Sequence, residues 1–170
     1  MSEALVQQWI FYGLDDDDDD DFLFLFCQSR NSYNYITIYT SETFDDLRNR
    51  IQVTPCGKTR CKLRRGNNVT VIFKFKTEHE VKHLVNEVSG QIAGIPLPFI
   101  GVDGTSACAQ VTRADNGQPA PCPLPANTEY VYKNVFPVEQ FYPTVPIRVH
   151  WSLNGDKGSV ICFEVPAIIV

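Results

Sequence analysis

The chain has 170 residues, of which 44% are hydrophobic and 21% are charged, and its formal net charge is −5. This composition is typical of a globular protein and excludes a wholly disordered chain. Every apolar run is shorter than the roughly 20 residues that a membrane-spanning helix requires, and the acidic balance argues against a nucleic-acid partner.

The charge is unevenly distributed along the chain. Residues 1–46 hold eleven acidic residues and one basic residue, whereas residues 47–170 hold nine acidic and fourteen basic ones, so that the two parts carry −10 and +5. The seven aspartates of Asp15–Asp21 repel one another and have nothing to bury. We therefore expect residues 1–46 to be a low-complexity acidic leader, disordered or atypical, without a recognisable signal peptide. Residues 47–170 are expected to form the folded domain.

The clearest pattern in the folded part is the alternation of apolar and polar side chains, which predicts β-strands. The predicted strands lie near residues 51–54, 69–76, 81–93, 129–134, 145–153 and 159–169. Turn residues at 154–158 indicate that the last two strands form a hairpin. Six or seven short strands separated by Pro and Gly are typical of an all-β protein, an antiparallel β-sandwich.

One face of the strand before this hairpin carries Val145, Ile147, Val149 and Trp151, as the wall of a core or a pocket must. His150 lies on the opposite face. The alternation therefore predicts a surface histidine there and not a catalytic one.

The six cysteines indicate a disulfide framework and an oxidising compartment. Cys56 and Cys61 flank a short turn that could close a local bridge. Cys108 and Cys122 flank a longer loop, where a bridge would reduce the freedom of the unfolded chain. CxxC-like pairs, which a zinc site of four cysteines requires, do not occur in the sequence. A glycosylation sequon at Asn68 is consistent with the secretory route.

Residues 79–83 spell HExxH, which on a helix places two imidazoles on one face to bind Zn²⁺. Here the letters follow a strand that ends at Lys76, and no apolar stripe of helical spacing continues them. We interpret the segment as a solvated loop and expect no metal and no cofactor. Because the other Ser, Cys, His and Asp residues form no recognisable nucleophile motif, we expect the protein not to be an enzyme.

Several ordered motifs in residues 48–170 carry a family resemblance. They are VTPC at 53–56, CKLRRG at 61–66, GQIAGIPLPF at 90–99, YVYKN at 130–134, PV at 137–138, YP at 142–143, Trp151 and CFEVP at 162–166. In this order and spacing they resemble the MD-2-related lipid-recognition (ML) family, and within it the Niemann–Pick type C2-like sterol carriers.

The resemblance implies an immunoglobulin-like β-sandwich with three disulfides and a lipid cavity between its two sheets. It implies that a sterol, above all cholesterol, binds there with its polar end near the mouth. The lipid-binding residues that it implies are Val53, Val71, Ile92, Leu97, Phe99, Pro137, Val138, Tyr142, Ile147, Val149, Trp151, Phe163 and Val165. Phe99, Val138 and Tyr142 would lie near the entrance, and Pro137 would shape it. Pro96 and Pro98 suit an edge or a rim that presents Phe99.

The sequence departs from the family at the first cysteine, because Leu47 stands where that cysteine is expected. Either Cys27 reaches Cys162 by a longer route, or Cys162 is unpaired. We hypothesise that residues 1–46 are an altered or mis-joined leader that replaces a signal peptide and the first strand.

The resemblance also implies a monomer in the secreted fluid or the lysosomal lumen. The net charge of +5 on the body favours docking on anionic membranes, where a sterol-accepting membrane protein is a further candidate partner. Two alternatives stay open at this stage. One is an innate-immune co-receptor that presents a lipid, and the other is a secreted, allergen-like sandwich without an obligate ligand.

Overall fold

The computed structural model describes residues 25–26, 50–56 and 61–170 of the chain. The described residues form ten strands, which are β1 Leu25–Phe26, β2 Ile51–Thr54, β3 Cys61–Leu63, β4 Asn68–Lys76, β5 Val85–Ile92, β6 Ile95–Pro98, β7 Val111–Arg113, β8 Glu129–Pro137, β9 Pro146–Gly155 and β10 Gly158–Ile169. A short 3-10 helix, Cys108–Gln110, precedes β7. None of the helical segments in these ranges is long and apolar enough to cross a membrane.

The strands form two sheets that pack face to face. The six-stranded sheet has the order β1-β10-β9-β5-β6, and β3 joins the same edge of β10 as β1 does. The four-stranded sheet has the order β2-β4-β8-β7. All pairs are antiparallel except β3 with β10, where Cys61 lies opposite Ala167. The predicted all-β sandwich is confirmed, with one parallel pair added to it.

Strand β4 illustrates why the sequence folds in this way. Its apolar residues Val69, Val71, Phe73 and Phe75 are buried, whereas Lys74 and its neighbours on the other face are exposed or half-buried. Alternation with a period of two places one set of side chains between the sheets. The same pattern holds in β8 and β9, and the hairpin between β9 and β10 turns at residues 155–158 as predicted.

Short strands were harder to predict than long ones. The stretch predicted near residues 81–93 contains a strand only from Val85, while Val81 makes an isolated bridge with Leu124. β6 is an edge strand beside β5, as Pro96 and Pro98 suggested. Strands of two to four residues such as β3 and β7 are too short for alternation to reveal them.

Residues 79–83, which spell HExxH, lie in a loop as predicted and not on a helix. His83 Nδ1 lies 2.8 Å from Asp156 Oδ1, and the backbone amides of Lys82 and His83 donate to the other carboxylate oxygen. The hydrogen bond from His83 is the main cause that lowers the pKa of Asp156 to about 2. The motif thus caps the turn between β9 and β10. Among the described residues, no three His, Cys, Asp or Glu side chains form a group that could hold a metal ion.

Two disulfides join the pairs that the spacing suggested, Cys56–Cys61 and Cys108–Cys122. Cys162 is also disulfide-bonded, so the alternative of an unpaired Cys162 is wrong. Its candidate partner Cys27 lies outside the described residues.

Most of the predicted acidic leader, including Asp15–Asp21, also lies outside the described residues. Within that segment, Leu25 and Phe26 pair with Glu164 and Phe163 of β10. These two residues extend the six-stranded sheet, and the expectation of a disordered or atypical leader stays a prediction.

Candidate functional site

A small apolar cavity lies between the two sheets. Its volume is about 20 Å³, and its lining comes from both sheets: Val53, Cys61, Leu63, Val69, Val71, Phe99, Phe136, Val149, Trp151, Phe163, Val165 and Ala167. This is room for about one water molecule, and the lining surface is apolar. The space between the sheets is therefore apolar and nearly closed.

The structure brings part of the predicted lipid-binding set together on this cavity wall. The predicted residues that line it are Val53, Val71, Phe99, Val149, Trp151, Phe163 and Val165. Ile147 and Val138 are buried nearby without lining it, and Ile92 and Tyr142 are half-buried. Leu97 and Pro137 lie at the surface. Lipid contact stays a prediction for all of them.

The cavity also has walls that the sequence reasoning did not name. These are Cys61, Leu63, Val69, Phe136 and Ala167. Strand parity could have found three of them, because Val69 shares a face with Val71, Ala167 with Val165, and Phe136 with Tyr132. The short strand β3 offered no comparable signal.

Aromatic rings close one end of the cavity, which we call the mouth. Phe99 packs edge-on against Phe136 and Tyr142, with ring centroids 5.9 and 5.6 Å apart. Gly90 makes room for Phe99, since a Cβ at Gly90 would lie 3.2 Å from the Phe99 ring. The mouth residues thus come from β8 itself and from the segments that follow β6 and β8.

The loop after β8 is fixed to the turn between β3 and β4. Gly66 donates to the carbonyl of Val138 at 2.7 Å, and Val138 donates to the carbonyl of Asn67 at 2.9 Å. Gly66 has a φ of +77°, which favours glycine, and a side chain there would collide with Gln140. Arg65 donates to the carbonyl of Tyr142 at 3.4 Å. A cationic turn therefore borders the mouth.

Exposed apolar side chains surround the same mouth. Ile95, Leu97 and Ile100 are 62%, 47% and 54% exposed, and all lie on β6 or directly after Phe99. Phe141 is 67% exposed, and its ring contacts that of Tyr142 at 5.2 Å. Clustered exposed apolar residues of this kind mark interaction surfaces.

A polar contact joins the two sheets near Trp151, whose ring lies 6.0 Å from that of Tyr132. Tyr132 on β8 donates to Asn86 Oδ1 on β5 at 2.7 Å, and Asn134 donates to the Tyr132 hydroxyl at 2.9 Å. Asn86 in turn donates to Thr105 at 3.1 Å. Burial raises the pKa of Tyr132 to about 12. The Trp151 indole N–H is buried and has no hydrogen-bond partner among the described residues.

A buried charge cluster lies on the opposite face of the six-stranded sheet. Glu164 is 1% exposed, and its carboxylate lies 3.5 Å from both Arg148 Nη1 and His150 Nδ1. His150 lies on the outer face as predicted, but it is half-buried, since only 12% of its side chain is exposed. Strand parity placed His150 on the outer face correctly, but it could not reveal that this part of the face is buried. The cavity itself holds no charged side chain among the described residues.

Comparison with known proteins agrees with this architecture. A family profile described as the ML domain matches residues 42–169. NPC intracellular cholesterol transporter 2 of Bos taurus is 30% identical over 117 residues, which cover 68% of this chain and 72% of the relative. NPC intracellular cholesterol transporter 2 homolog a of Drosophila melanogaster is 32% identical over 123 residues, covering 71% and 78%. The crystal structure of a Niemann-Pick type C2 protein from Japanese carpenter ant has a similar fold, with a TM-score of 0.59 and 24% identity over 71% of this chain and 89% of that one.

Proposed function

Because the chain belongs to the ML domain family, we propose that it binds a sterol, most readily cholesterol, between its two sheets and transfers it between membranes. ML domain proteins of this type are lipid-binding carriers and not enzymes. The observation that carries the proposal is the cavity wall, which is apolar throughout and is built from both sheets beneath an aromatic mouth.

Binding requires the sheets to separate, because ligand sites have volumes of roughly 300–1,000 Å³ and this cavity has about 20 Å³. The free-energy cost of separating the sheets is modest, because apolar contacts between the sheets are exchanged for apolar contacts with the lipid. Burial of several hundred Å² of sterol surface yields roughly 10 kcal/mol at about 25 cal/mol/Å², before the loss of motional freedom is subtracted. The resulting affinity is moderate, which suits a carrier that must also release its ligand.

The mouth supplies the route of entry in this proposal. The side chains of Phe99 and Tyr142 move apart to admit the sterol. Val138 and Pro137 form the edge of the mouth, and the polar end of the sterol remains in the solvent. Contacts along the inserted part come from the predicted wall residues on β4, β9 and β10. The polar end needs no buried partner, because it remains in water.

The exposed apolar surface around the mouth is proposed to dock on an anionic membrane. Leu97, Ile100 and Phe141 would enter the interface, while Arg65 and the net charge of +5 on residues 47–170 attract anionic lipid headgroups. This places the mouth against the membrane from which the sterol leaves or which accepts it. A membrane protein that accepts sterol could engage the same surface.

The disulfides favour an oxidising compartment, and we propose that the protein acts as a monomer in secreted fluid or in the lysosomal lumen. Asn68 is exposed at the start of β4, where a glycan would point into solvent.

Native mass spectrometry of the full chain, purified from a secreting eukaryotic cell, tests the function. A bound sterol supports the carrier. A bound acylated glycolipid would instead support an immune co-receptor, and protein that remains free of lipid after incubation with cholesterol vesicles would support a sandwich without an obligate ligand.

A further inference from the structure

We propose that the buried hydrogen bond between Tyr132 and Asn86 marks the inner end of the lipid site and limits the length of the ligand. The inference rests on the proposed function and adds to it a limit on the length of the ligand. The site takes a compact, rigid lipid such as a sterol with a side chain of limited length, and it rejects lipids whose inserted part is longer.

The cavity occupies only one half of the sandwich. Along β4 it is lined by Val69 and Val71 and ends before Phe73, the next residue on the same face. Along β8 it is lined by Phe136, and neither Asn134 nor Tyr132, the next residues on the same face, lines it. Phe73 and Tyr132 lie opposite each other on the paired strands β4 and β8, and the core beyond them is filled by buried side chains.

A layer of stacked rings forms this boundary. The ring of Tyr132 stacks on Phe73, with centroids 4.7 Å apart and planes 22° apart, and lies 6.0 Å from that of Trp151. Phe73 also contacts Phe163 edge-on at 5.2 Å. Trp151 and Phe163 belong to the cavity wall, whereas Phe73 and Tyr132 stand directly behind them.

The hydrogen bond makes this layer more resistant to opening than the rest of the interface. Tyr132 belongs to the four-stranded sheet and Asn86 to the six-stranded sheet, so their 2.7 Å bond crosses the gap that a ligand must widen. On the mouth side of the layer, a lipid replaces one apolar contact by another. At Tyr132 it would leave the buried hydroxyl proton and Asn86 Oδ1 without the hydrogen bond that joins them, which is far more costly. The sheets therefore open from the mouth and stay joined at Tyr132.

Strand geometry gives the depth of the part that can open. Val69 and Phe73 are four residues apart on β4, and Ile147 and Trp151 are four residues apart on β9. At about 3.3 Å per residue both distances are about 13 Å. The loops at the mouth add to this depth, and the total length is suited to a sterol ring system with a short side chain. A fully extended long acyl chain would have to pass Tyr132.

A homologous series of 3β-hydroxy-5-ene steroids tests the limit, with an alkyl side chain at C17 that grows by one carbon at a time. Dissociation constants are measured for the full chain. In the wild type, the affinity should rise about fourfold per added carbon until the side chain reaches Tyr132. The next steroid of the series, whose side chain is one carbon longer, should bind more weakly. In Tyr132→Phe, which keeps the ring and removes the bond between the sheets, that next member should bind about tenfold more tightly than it does to the wild type.

Tyr130→Phe is the matched control. Tyr130 lies on the same face of the same strand and is as fully buried as Tyr132, but its hydroxyl donates at 3.1 Å to the nearby carbonyl of Pro125. Its removal should leave the length limit unchanged. Asn86→Ala removes the acceptor of the same hydrogen bond on the six-stranded sheet. This variant replaces Tyr132→Phe in the experiment if Tyr132→Phe does not fold.

Three results would overturn the inference. They are a wild-type affinity that keeps rising with chain length, a limit that does not move when the bond between the sheets is removed, and an equal shift in Tyr130→Phe. A wild-type protein that binds no steroid of the series would instead refute the proposed function.

Discussion

The hydroxyl of Tyr142 accepts a 3.0 Å hydrogen bond from the backbone amide of Ile100, and this bond joins the loop after β8 to the segment after β6 across the mouth. The same tyrosine packs against Phe99 on the cavity wall, and its carbonyl accepts a hydrogen bond from Arg65. Tyr142 thus holds the mouth closed through an exposed hydrogen bond and a ring contact, and in the proposed function a lipid breaks both to enter.

Tyr142→Phe should therefore speed up lipid exchange. The substitution keeps the ring contact with Phe99 and removes only the acceptor for Ile100, whose bond contributes about 0.5–1.5 kcal/mol. Stopped-flow transfer of a fluorescent sterol should be about two- to tenfold faster in both directions. Tyr130→Phe, which loses a hydroxyl far from the mouth, should transfer at the wild-type rate. Equal rates in Tyr142→Phe and the wild type would mean that the bond does not gate entry.

Phe99→Leu should weaken sterol binding, while Phe75→Leu should not. Both phenylalanines are buried, but only Phe99 lines the cavity. Each substitution should lower the free energy of unfolding by about 1 kcal/mol, because both leave space in the core. Titration with cholesterol and chemical denaturation of both variants separate the two effects. If Phe75→Leu weakened binding as much as Phe99→Leu, general loosening of the sandwich would explain both.

Phe141→Ser should slow sterol transfer to anionic vesicles without changing the dissociation constant of the sterol. Phe141 is exposed beside the mouth, where it is proposed to enter the membrane interface. Val135→Ser is the control, because Val135 is also an exposed apolar residue, at 51%, but lies on the outer face of β8. The defect should be largest at low salt, where the attraction to anionic lipid is strongest. A similar loss in both variants would argue against docking through the mouth.

The pair of Asp156 and His83 should contribute stability above about pH 4 and lose it in stronger acid. The pKa of Asp156 falls from 3.8 to about 2 in the folded protein, chiefly through the hydrogen bond with His83. The unfolded chain therefore binds the proton first as the pH falls, and the stabilisation disappears between about pH 4 and pH 2. Thermal unfolding of the wild type should show this acid dependence. Asp156→Asn should show less of it, and an identical pH profile in the two proteins would contradict the assignment.

The fold follows from the sequence wherever a strand is long enough to alternate. β4, β8 and β9 bury the apolar residues that alternate along them, and the turn after β9 is encoded by Asn, Gly and Asp. The shorter strands β3 and β7 give no such signal, because their positions depend on pairing with β10 and β8.

The candidate site was predictable only in part. Val71 and Val149 line the cavity because parity points them inward, and this requires no knowledge of their neighbours. Leu97, which the family resemblance assigned to the wall, lies exposed on the edge strand β6, and Phe136 lines the wall instead. The alternation of residues tells which face of its strand a side chain lies on. Whether that side chain lies at the level of the cavity depends on the register between the strands.

The sequence by itself determined that the chain forms a β-sandwich with an apolar interior, because alternation and turn chemistry are local properties. Only the tertiary structure decided which polar groups meet inside it. Tyr132 and Asn86 are 46 residues apart in sequence and lie on different sheets, and Glu164 faces outward from its strand yet is buried beside Arg148 and His150. Such contacts arise from the way the two sheets pack and from what covers each face, and no local pattern encodes either.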